Sequence, residues 1–229
     1  MKKISVIMSV YNSENFLKKS IESILNQTYE NFQFLIINDC STDKSLSILE
    51  YFKKKDTRVY LFENKLNIGL TKSLNKLLEN AEGDLIARHD ADDISDKSRF
   101  ENQINFLNQH GYDGCTTKAS SIQTGETIHK VKNYIPPKIV IKYKNPFIHG
   151  SLMIDKKVID SIGGYNEDYK YAQDYKLMTD LLNNGYKIKI MKKNLYRLNT
   201  IDNISTIYKF EQEYFANCVR KNLDPKNEN

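Results

Sequence analysis

Strand-like and helix-like segments alternate through the first hundred residues, and this alternation constrains the fold more than any other feature. The segments "ISVIMSV" (4–10), "FQFLIIN" (32–38), "RVYLFEN" (58–64) and "GDLIARHD" (83–90) are typical of β-strands. Apolar residues at helical spacing follow each of the first three. The near-continuous apolar run in the second segment indicates a strand buried on both faces. The pattern predicts an α/β domain with a mostly parallel sheet flanked by helices.

Polar clusters directly follow three of these predicted strands. They are Tyr11 with Asn12, residues 39–43, and residues 90–93. Ligands of open α/β sheets bind at the carboxyl ends of the strands, where consecutive loops meet. Because all three clusters occupy equivalent positions, we expect them to form one ligand site rather than three unrelated solvated loops.

The third cluster crowds three carboxylates, Asp90, Asp92 and Asp93, into four positions. Like charges this close raise each other's pKa, so the cluster is either a solvated acidic turn or a divalent-metal site. In an extended chain Asp90 and Asp92 lie on the same face. Carboxylate oxygens are the ligands that Mg²⁺ and Mn²⁺ prefer, and substrate phosphates complete their shell. A D-x-D pair at a strand end therefore predicts a cation held against a diphosphate.

The other two clusters leave alternatives open. Asp39 could accept a hydrogen bond from a base N–H or a ribose hydroxyl. For Ser41 and Asp43 we favour helix capping over ligand binding. Tyr11 could stack on a base or simply pack at the strand end.

Composition limits the class of protein. The chain has 229 residues, 40% of them hydrophobic, which suits a single domain. No apolar run approaches the roughly 20 residues that span a bilayer, and the basic start lacks a cleavage site. We therefore expect a cytoplasmic protein. Three widely separated cysteines predict reduced thiols. The net charge of +5 is typical of a solvated surface, and it leaves open a peripheral contact with the inner face of the membrane. No nucleic-acid partner is expected.

The motifs together resemble a known family. "SVIMSVYNSENFLKKSIESILNQTYENFQFLIINDCSTDKS", "NIGLTKSLNKLL", "GDLIARHDADDIS", "HGSLMID" and "GGYNEDYKYAQDYKLMTDLL" are similar, in order and spacing, to the family 2 inverting glycosyltransferases of the Rossmann-like GT-A fold, especially bacterial enzymes of surface-polysaccharide synthesis. The resemblance covers residues 1–200. It implies a nucleotide-binding half (1–110) and an acceptor-binding half (111–200), and we expect 201–229 to form a small C-terminal helical extension.

The resemblance also implies roles for individual residues. Tyr11, Glu14 and Asp39 match positions that hold the uracil and ribose of a UDP-sugar, and Asn67 matches a position near the donor. In the D-x-D, Asp92 matches the direct metal ligand, with Asp90 beside it and closer to the ribose. Asp174 of "AQDYKL" matches the catalytic base.

Three positions are less clear. Gln173 stands where the family often has a second carboxylate beside the base. His149 could line the acceptor side or reach the metal, or it could be a packed histidine. Arg88 could steady the diphosphate, or it could pair with the aspartates.

These observations predict a metal-dependent inverting glycosyltransferase. It would use Mn²⁺ or Mg²⁺ and move a hexosyl or N-acetylhexosaminyl group from a UDP-sugar to a hydroxyl of a surface-polysaccharide or lipid-linked glycan. A nucleotidyltransferase is disfavoured because "SVYNSENFLKK" is not a glycine-rich phosphate loop. A catalytically inactive nucleotide-sugar-binding or scaffolding subunit is the other alternative.

Overall fold

The computed structural model describes residues 1–128, 136–201 and 207–225. These residues form one sheet with helices on both faces. The strands are β1 (Ile4–Val10), β2 (Phe32–Asn38), β3 (Val59–Glu63), β4 (Leu85–Arg88), β5 (Ile94–Ser95), β6 (Gly114–Ser121), β7 (Thr127–Ile128), β8 (Met153–Asp155) and β9 (Ile188–Leu198). The helices are α1 (Glu14–Leu25), α2 (Ser45–Lys55), α3 (Leu70–Glu79), α4 (Arg99–His110), α5 (Pro137–Val140), α6 (Lys156–Ser161), α7 (Gln173–Asn183) and α8 (Lys209–Lys221).

The first four predicted strands form the parallel half of the sheet, in the order β3-β2-β1-β4. The carboxyl ends of β1, β2 and β3 are level, because Val10 pairs with Asn38 and Asn38 pairs with Glu63, whereas β4 ends earlier, where Arg88 pairs with Ile7. The loops that follow β1, β2 and β4 therefore leave the same edge. This is the edge at which the sequence places its polar clusters.

The second half of the sheet is mixed. β8 pairs antiparallel with both β4 and β6, whereas β6 and β9 run parallel to each other. β6 was not predicted, because its sequence "GCTTKASS" carries few large apolar residues although most of its positions are buried. The segment 147–155 reads as one strand, but it forms a 3-10 turn (His149–Ser151) before the short β8.

Side chains of the central strands alternate between two cores. Val6 and Met8 of β1 face α1, α2 and α4, while Ile7 faces α3 and α7. Every residue of β2 is buried, as its apolar run predicted. The three cysteines are free thiols, and Cys115 is fully buried.

The C-terminal helix α8 packs on the same core. Cys218 and Val219 are buried against the cluster that contains α7, and Tyr169 Oη donates a 2.9 Å hydrogen bond to the carbonyl of Leu223. The sequence predicted a helical extension over 201–229, of which residues 202–206 and 226–229 lie outside the described part. Among the described residues, no helix combines the length and apolarity needed to cross a bilayer.

Candidate active site

Side-chain hydrogen bonds join the loops that follow β1 and β2. Asn12 Oδ1 accepts from the backbone N–H of Thr42 at 2.8 Å, and the backbone N–H of Asn12 donates to Ser41 Oγ at 3.1 Å. Asn12 and Cys40 both adopt positive φ, 47° and 61°, which non-glycine residues seldom do. The first two polar clusters therefore form one ordered surface.

Glu14 and Asp43 add further hydrogen bonds between these two loops. Glu14 Oε2 accepts the backbone N–H of Lys44 at 2.8 Å, and Asp43 accepts the N–H groups of Glu14 and Ser45, each at 2.9 Å. Burial opposes ionisation of Asp43, but these hydrogen bonds outweigh it and lower the pKa of the carboxyl. Asp43 thus accepts the first N–H group of both α1 and α2, whereas Ser41, the other favoured cap, accepts the N–H of Asn12 instead. Glu14 lines a groove between α1 and α2, whereas Tyr11, half-exposed, stands at the end of β1.

Asp39 is buried at the end of β2 and holds the loop that precedes α3. Its carboxylate accepts the backbone N–H groups of Ile68 at 2.9 Å and Gly69 at 2.8 Å, and Asn64 Nδ2 at 2.8 Å. Gly69 has a φ of 85°, which favours glycine. The contact brings Asn67 to the same edge, beside a cleft of about 1090 Å³ that extends to residues 167–171 and α8.

Arg88 forms an ion pair with Asp90, which is one of the two roles that the sequence left open for it. Its guanidinium is 1% exposed, pairs with Asp90 Oδ1, and donates to the carbonyls of His89 and Ile7. About a third of the Asp90 side chain is exposed. Contact of Arg88 with a diphosphate stays a prediction.

Asp92 and Asp93 both accept hydrogen bonds from Asn199, the residue that directly follows β9. The backbone N–H of Asn199 donates to Asp93 Oδ1 at 2.8 Å, and its Nδ2 donates to Asp92 Oδ2 at 3.2 Å. Burial and then the charge of Asp90 raise the pKa of Asp92. Burial and the charges of both neighbours raise the pKa of Asp93 well above its usual range. No sequence pattern identified Asn199, because it follows the long strand β9 rather than a motif.

The donor set at Asp90 and Asp92 fits a hard divalent cation. Each carboxylate keeps one oxygen without a hydrogen bond among the described residues, and the mutual repulsion of the cluster is what a cation relieves. In the described part of the chain, no three or more His, Cys, Asp or Glu side chains are grouped to hold a metal by themselves. Two carboxylates suffice for Mg²⁺, which completes its shell with water and phosphate oxygens.

A network of buried polar side chains forms hydrogen bonds with the backbone of Asp90. His89 Nε2 lies 3.1 Å from Ser20 Oγ, and its Nδ1 lies 3.1 Å from Tyr196 Oη. Ser20 Oγ donates to the carbonyl of Asp90 at 2.8 Å, and Tyr196 Oη accepts the N–H of Asp90 at 3.1 Å. Burial, and then the cationic Arg99, hold the pKa of His89 well below its usual range. His89 therefore acts as a neutral hydrogen-bonding group that orients Asp90.

Gly150, in the 3-10 turn, lies against Asp90 and Tyr196, and no sequence pattern marked it as a site residue. A β-carbon there would lie 2.5 Å from Asp90 Oδ2 and 2.5 Å from Tyr196 Oη. The same turn places His149, whose Nε2 lies 2.8 Å from Tyr165 Oη. Burial, and then the positive Arg88, lower the pKa of His149 to about 4.

Asp174 lies in the first turn of α7 and is half-buried. Its Oδ2 accepts Asn145 Nδ2 at 2.8 Å, a contact that the sequence did not indicate. The charges of Asp174 and Asp90 both act on His149, which places the two carboxylates within electrostatic reach of one side chain. The predicted base Asp174 and the predicted metal ligand Asp90 thus both counteract the lowering of the pKa of His149.

The comparisons with known proteins now identify the family. The model described as "Glycosyl transferase family 2" matches residues 5–166. The chain belongs to this family. An "Uncharacterized glycosyltransferase" of Haemophilus influenzae is 32% identical over 95% of this chain and 72% of its own length. The "Putative glycosyltransferase EpsE" of Bacillus subtilis is 32% identical over 86% of this chain and 72% of its own length. The "O-antigen biosynthesis glycosyltransferase WbnJ" of Escherichia coli is 34% identical over 79% of this chain and 72% of its own length.

Solved structures confirm the predicted GT-A fold. Staphylococcus aureus TarS 1–349 in complex with UDP has a TM-score of 0.77 at 22% identity, covering 98% of this chain and 67% of that one. The mannosyltransferase PcManGT from Pyrobaculum calidifontis, in complex with GDP-Man and Mn²⁺, has a TM-score of 0.73 at 17% identity, covering 98% and 66%. This family 2 protein is thus a glycosyltransferase with the GT-A fold.

Proposed function

We propose that this glycosyltransferase moves a sugar from a UDP-sugar to an acceptor hydroxyl with inversion, assisted by a divalent cation. The observation that carries the proposal is the pair Asp90 and Asp92, each of which keeps one carboxylate oxygen without a hydrogen bond among the described residues. A proton acceptor and a cation-binding pair are the two groups that direct displacement of a nucleoside diphosphate requires.

The chain's own residues have distinct tasks in this proposal. Asn145 orients the carboxylate of Asp174, which takes the proton of the attacking hydroxyl. Asp92 and Asp90 would hold Mn²⁺ or Mg²⁺, and the ion, when bound, supplies stabilisation of the charge that develops on the leaving diphosphate. Arg88 and His89 fix the position of Asp90.

The donor would bind along the edge formed by β1, β2 and the loop before α3. Tyr11, Glu14, Asp39 and Asn67 lie along this edge. We propose that Tyr11, Glu14 and Asp39 contact the uracil and ribose and that Asn67 lies near the donor. The structural relatives support a nucleotide-sugar donor, since TarS was solved with UDP and with UDP-GlcNAc, and PcManGT with GDP-Man and Mn²⁺. A hexosyl or N-acetylhexosaminyl group is the proposed cargo.

The acceptor is proposed to be a surface-polysaccharide or lipid-linked glycan. Support comes from relatives named for such pathways: WbnJ for O-antigen biosynthesis, and GgaB of Bacillus subtilis for minor teichoic acid biosynthesis. A cytoplasmic location at the inner face of the membrane stays a prediction.

Calorimetric titration of UDP, with and without Mn²⁺, tests the donor and metal site. We expect Mn²⁺ to strengthen UDP binding to the unmodified protein and to have no effect on Asp92→Ala, because the direct ligand is gone. Asp160→Ala, which removes a surface carboxylate paired with Lys156 on α6, is the matched control and should behave like the unmodified protein.

Two outcomes would contradict the proposal. Full transfer activity of Asp92→Ala at saturating donor would remove the metal role of this carboxylate. Failure of UDP to bind under either condition would favour the inactive scaffolding subunit or another nucleotide.

A further inference from the structure

A second cavity, of about 300 Å³, reaches Asp174 from the side of α8. Residues from three separate segments line it, namely the loop after α5, the start of α7 and one face of α8. The charged residues among them are Lys144, Asp174, Lys209, Glu213 and Arg220. The proposed base Asp174 therefore lines a cavity that contains none of the proposed donor-binding residues.

The charges in this cavity are not balanced. Arg220 pairs with Glu213, with 2.5 Å between Nη2 and Oε1, so these two side chains offset each other. Lys144 and Lys209 are exposed, and the ammonium group of neither makes a hydrogen bond or ion pair with another described residue. Two lysines whose ammonium groups have no partner among the described residues thus line the same small cavity as Asp174.

We propose that this cavity binds an anionic group of the acceptor, a carboxylate or a phosphate close to the reacting hydroxyl, through Lys144 and Lys209. The inference rests on the proposed role of Asp174 as the base. A negatively charged acceptor approaching that carboxylate is repelled by it, and two lysines beside it offset the repulsion. Lysine is suited to this task because its ammonium group is a point charge on a flexible stem that adapts to either anion.

The placement of the lysines distinguishes this site from an ordinary solvated surface. Lys144 comes from the loop that also carries Asn145, the hydrogen-bond partner of Asp174, while Lys209 begins α8. Two distant parts of the chain therefore bring one charge each to the cavity of the base. A neutral acceptor would gain nothing from this arrangement.

Saturation-transfer NMR with three sugars that differ in charge tests the inference. The probes are methyl glucoside, which is neutral, methyl glucuronide, which carries a carboxylate, and glucose 6-phosphate, all in the presence of UDP and Mn²⁺. We expect at least one anionic probe to bind about tenfold more tightly than the glucoside, as charge-assisted hydrogen bonds would give. Comparing the two anionic probes shows which anion the site takes.

Two double variants with the same net charge test the role of the two lysines. The double variant Lys144→Gln/Lys209→Gln should lose the preference for the anionic probe. The double variant Lys138→Gln/Lys221→Gln removes two exposed lysines outside the cavity and should retain it. Equal or absent binding of all three probes, or an unchanged preference after Lys144→Gln/Lys209→Gln, would overturn the inference.

Titration of UDP into the same three proteins separates the two proposals. If UDP binds to all of them and the charge preference is missing, the acceptor inference fails and the donor site stands. If UDP does not bind even to the unmodified protein, the proposed function itself fails.

Discussion

At residue scale, the tightest constraint on the site is the contact between Gly150 and Asp90. We expect Gly150→Ala to destabilise the fold by about 1–3 kcal/mol, because its methyl group would overlap the carboxylate and the Tyr196 hydroxyl. UDP binding in the presence of Mn²⁺ should weaken as well, since Asp90 must move. Urea denaturation and calorimetry measure the two effects.

Gly111→Ala is the matched control for this prediction. It adds the same methyl group in open space, although at a φ of 60°. Some stability should be lost to backbone strain, but UDP binding should stay unchanged. Equal loss of UDP binding in both variants would show that the close approach at Gly150 has no special role.

The hydrogen bond from Asn145 to Asp174 is the second feature at this scale. Asn145→Ala removes the group that orients the proposed base, so we expect kcat to fall about tenfold while the Kd for UDP stays the same. Asn184→Ala, at the opposite end of α7, removes a bond to the carbonyl of Asp180 and should leave kcat unchanged. A loss of UDP affinity equal to the loss of kcat would argue for a general structural role instead.

At the scale of elements, the turn between α2 and β3 depends on one ion pair. Arg58 pairs with Asp56 at 2.7 Å, donates to the carbonyl of Leu25 at 3.0 Å, and lies 4.4 Å from the centre of the Phe32 ring. The hydrogen bond from Arg58 is the main cause that lowers the pKa of Asp56, and burial partly opposes it. The turn is thereby tied to α1 and β2.

The sign of the pH dependence follows from the lowered pKa. A carboxyl whose pKa is lower in the folded state stabilises the fold above its unfolded-state pKa, and that stabilisation is lost as the pH falls through the folded-state value. Asp56→Asn should therefore cost about 1 kcal/mol at neutral pH, and the difference from the unmodified protein should shrink as the pH falls below the usual pKa range of a carboxyl.

Urea denaturation at several pH values checks this prediction. In an Arg58→Gln background the same Asp56→Asn change should cost much less, because the partner is already missing. A cost that does not change with pH would mean that the ion pair contributes nothing measurable.

Local patterning predicted some elements better than others. The apolar spacing of Leu17, Ile21 and Ile24 predicted α1 correctly, since each of these residues is buried in the core. β6 was missed because its buried positions include Thr116, Thr117 and Ser120, whose polarity hides the strand pattern. Burial of short hydroxyl side chains depends on partners elsewhere in the sheet, and a local window does not contain them.

At the scale of the whole molecule, the net charge of +5 leaves open the proposed peripheral contact with an anionic membrane, which vesicle binding tests. We expect the protein to sediment with phosphatidylglycerol vesicles at low ionic strength and to be released by salt. The screening length falls from about 10 Å at 0.1 M salt to about 3 Å at 1 M, so a purely electrostatic contact should disappear over that range.

Neutral phosphatidylcholine vesicles are the control for this contact. The protein should stay in the supernatant with them at every salt concentration. Absence of binding to the anionic vesicles at low salt would remove the membrane contact from the proposal without affecting the donor site.

By itself, the sequence determined where the first four strands lie along the chain and which polar residues follow them. Hydrophobic periodicity shows within windows of a few residues, so local reading is enough for this. The sequence also carried the motifs that marked Asp39, Asp92 and Asp174. The tertiary structure alone decided that Asn145 reaches Asp174, that Asn199 holds Asp92, and that only a glycine fits beside Asp90. These contacts join residues far apart in the chain, and their geometry exists only after the two halves of the sheet have packed together.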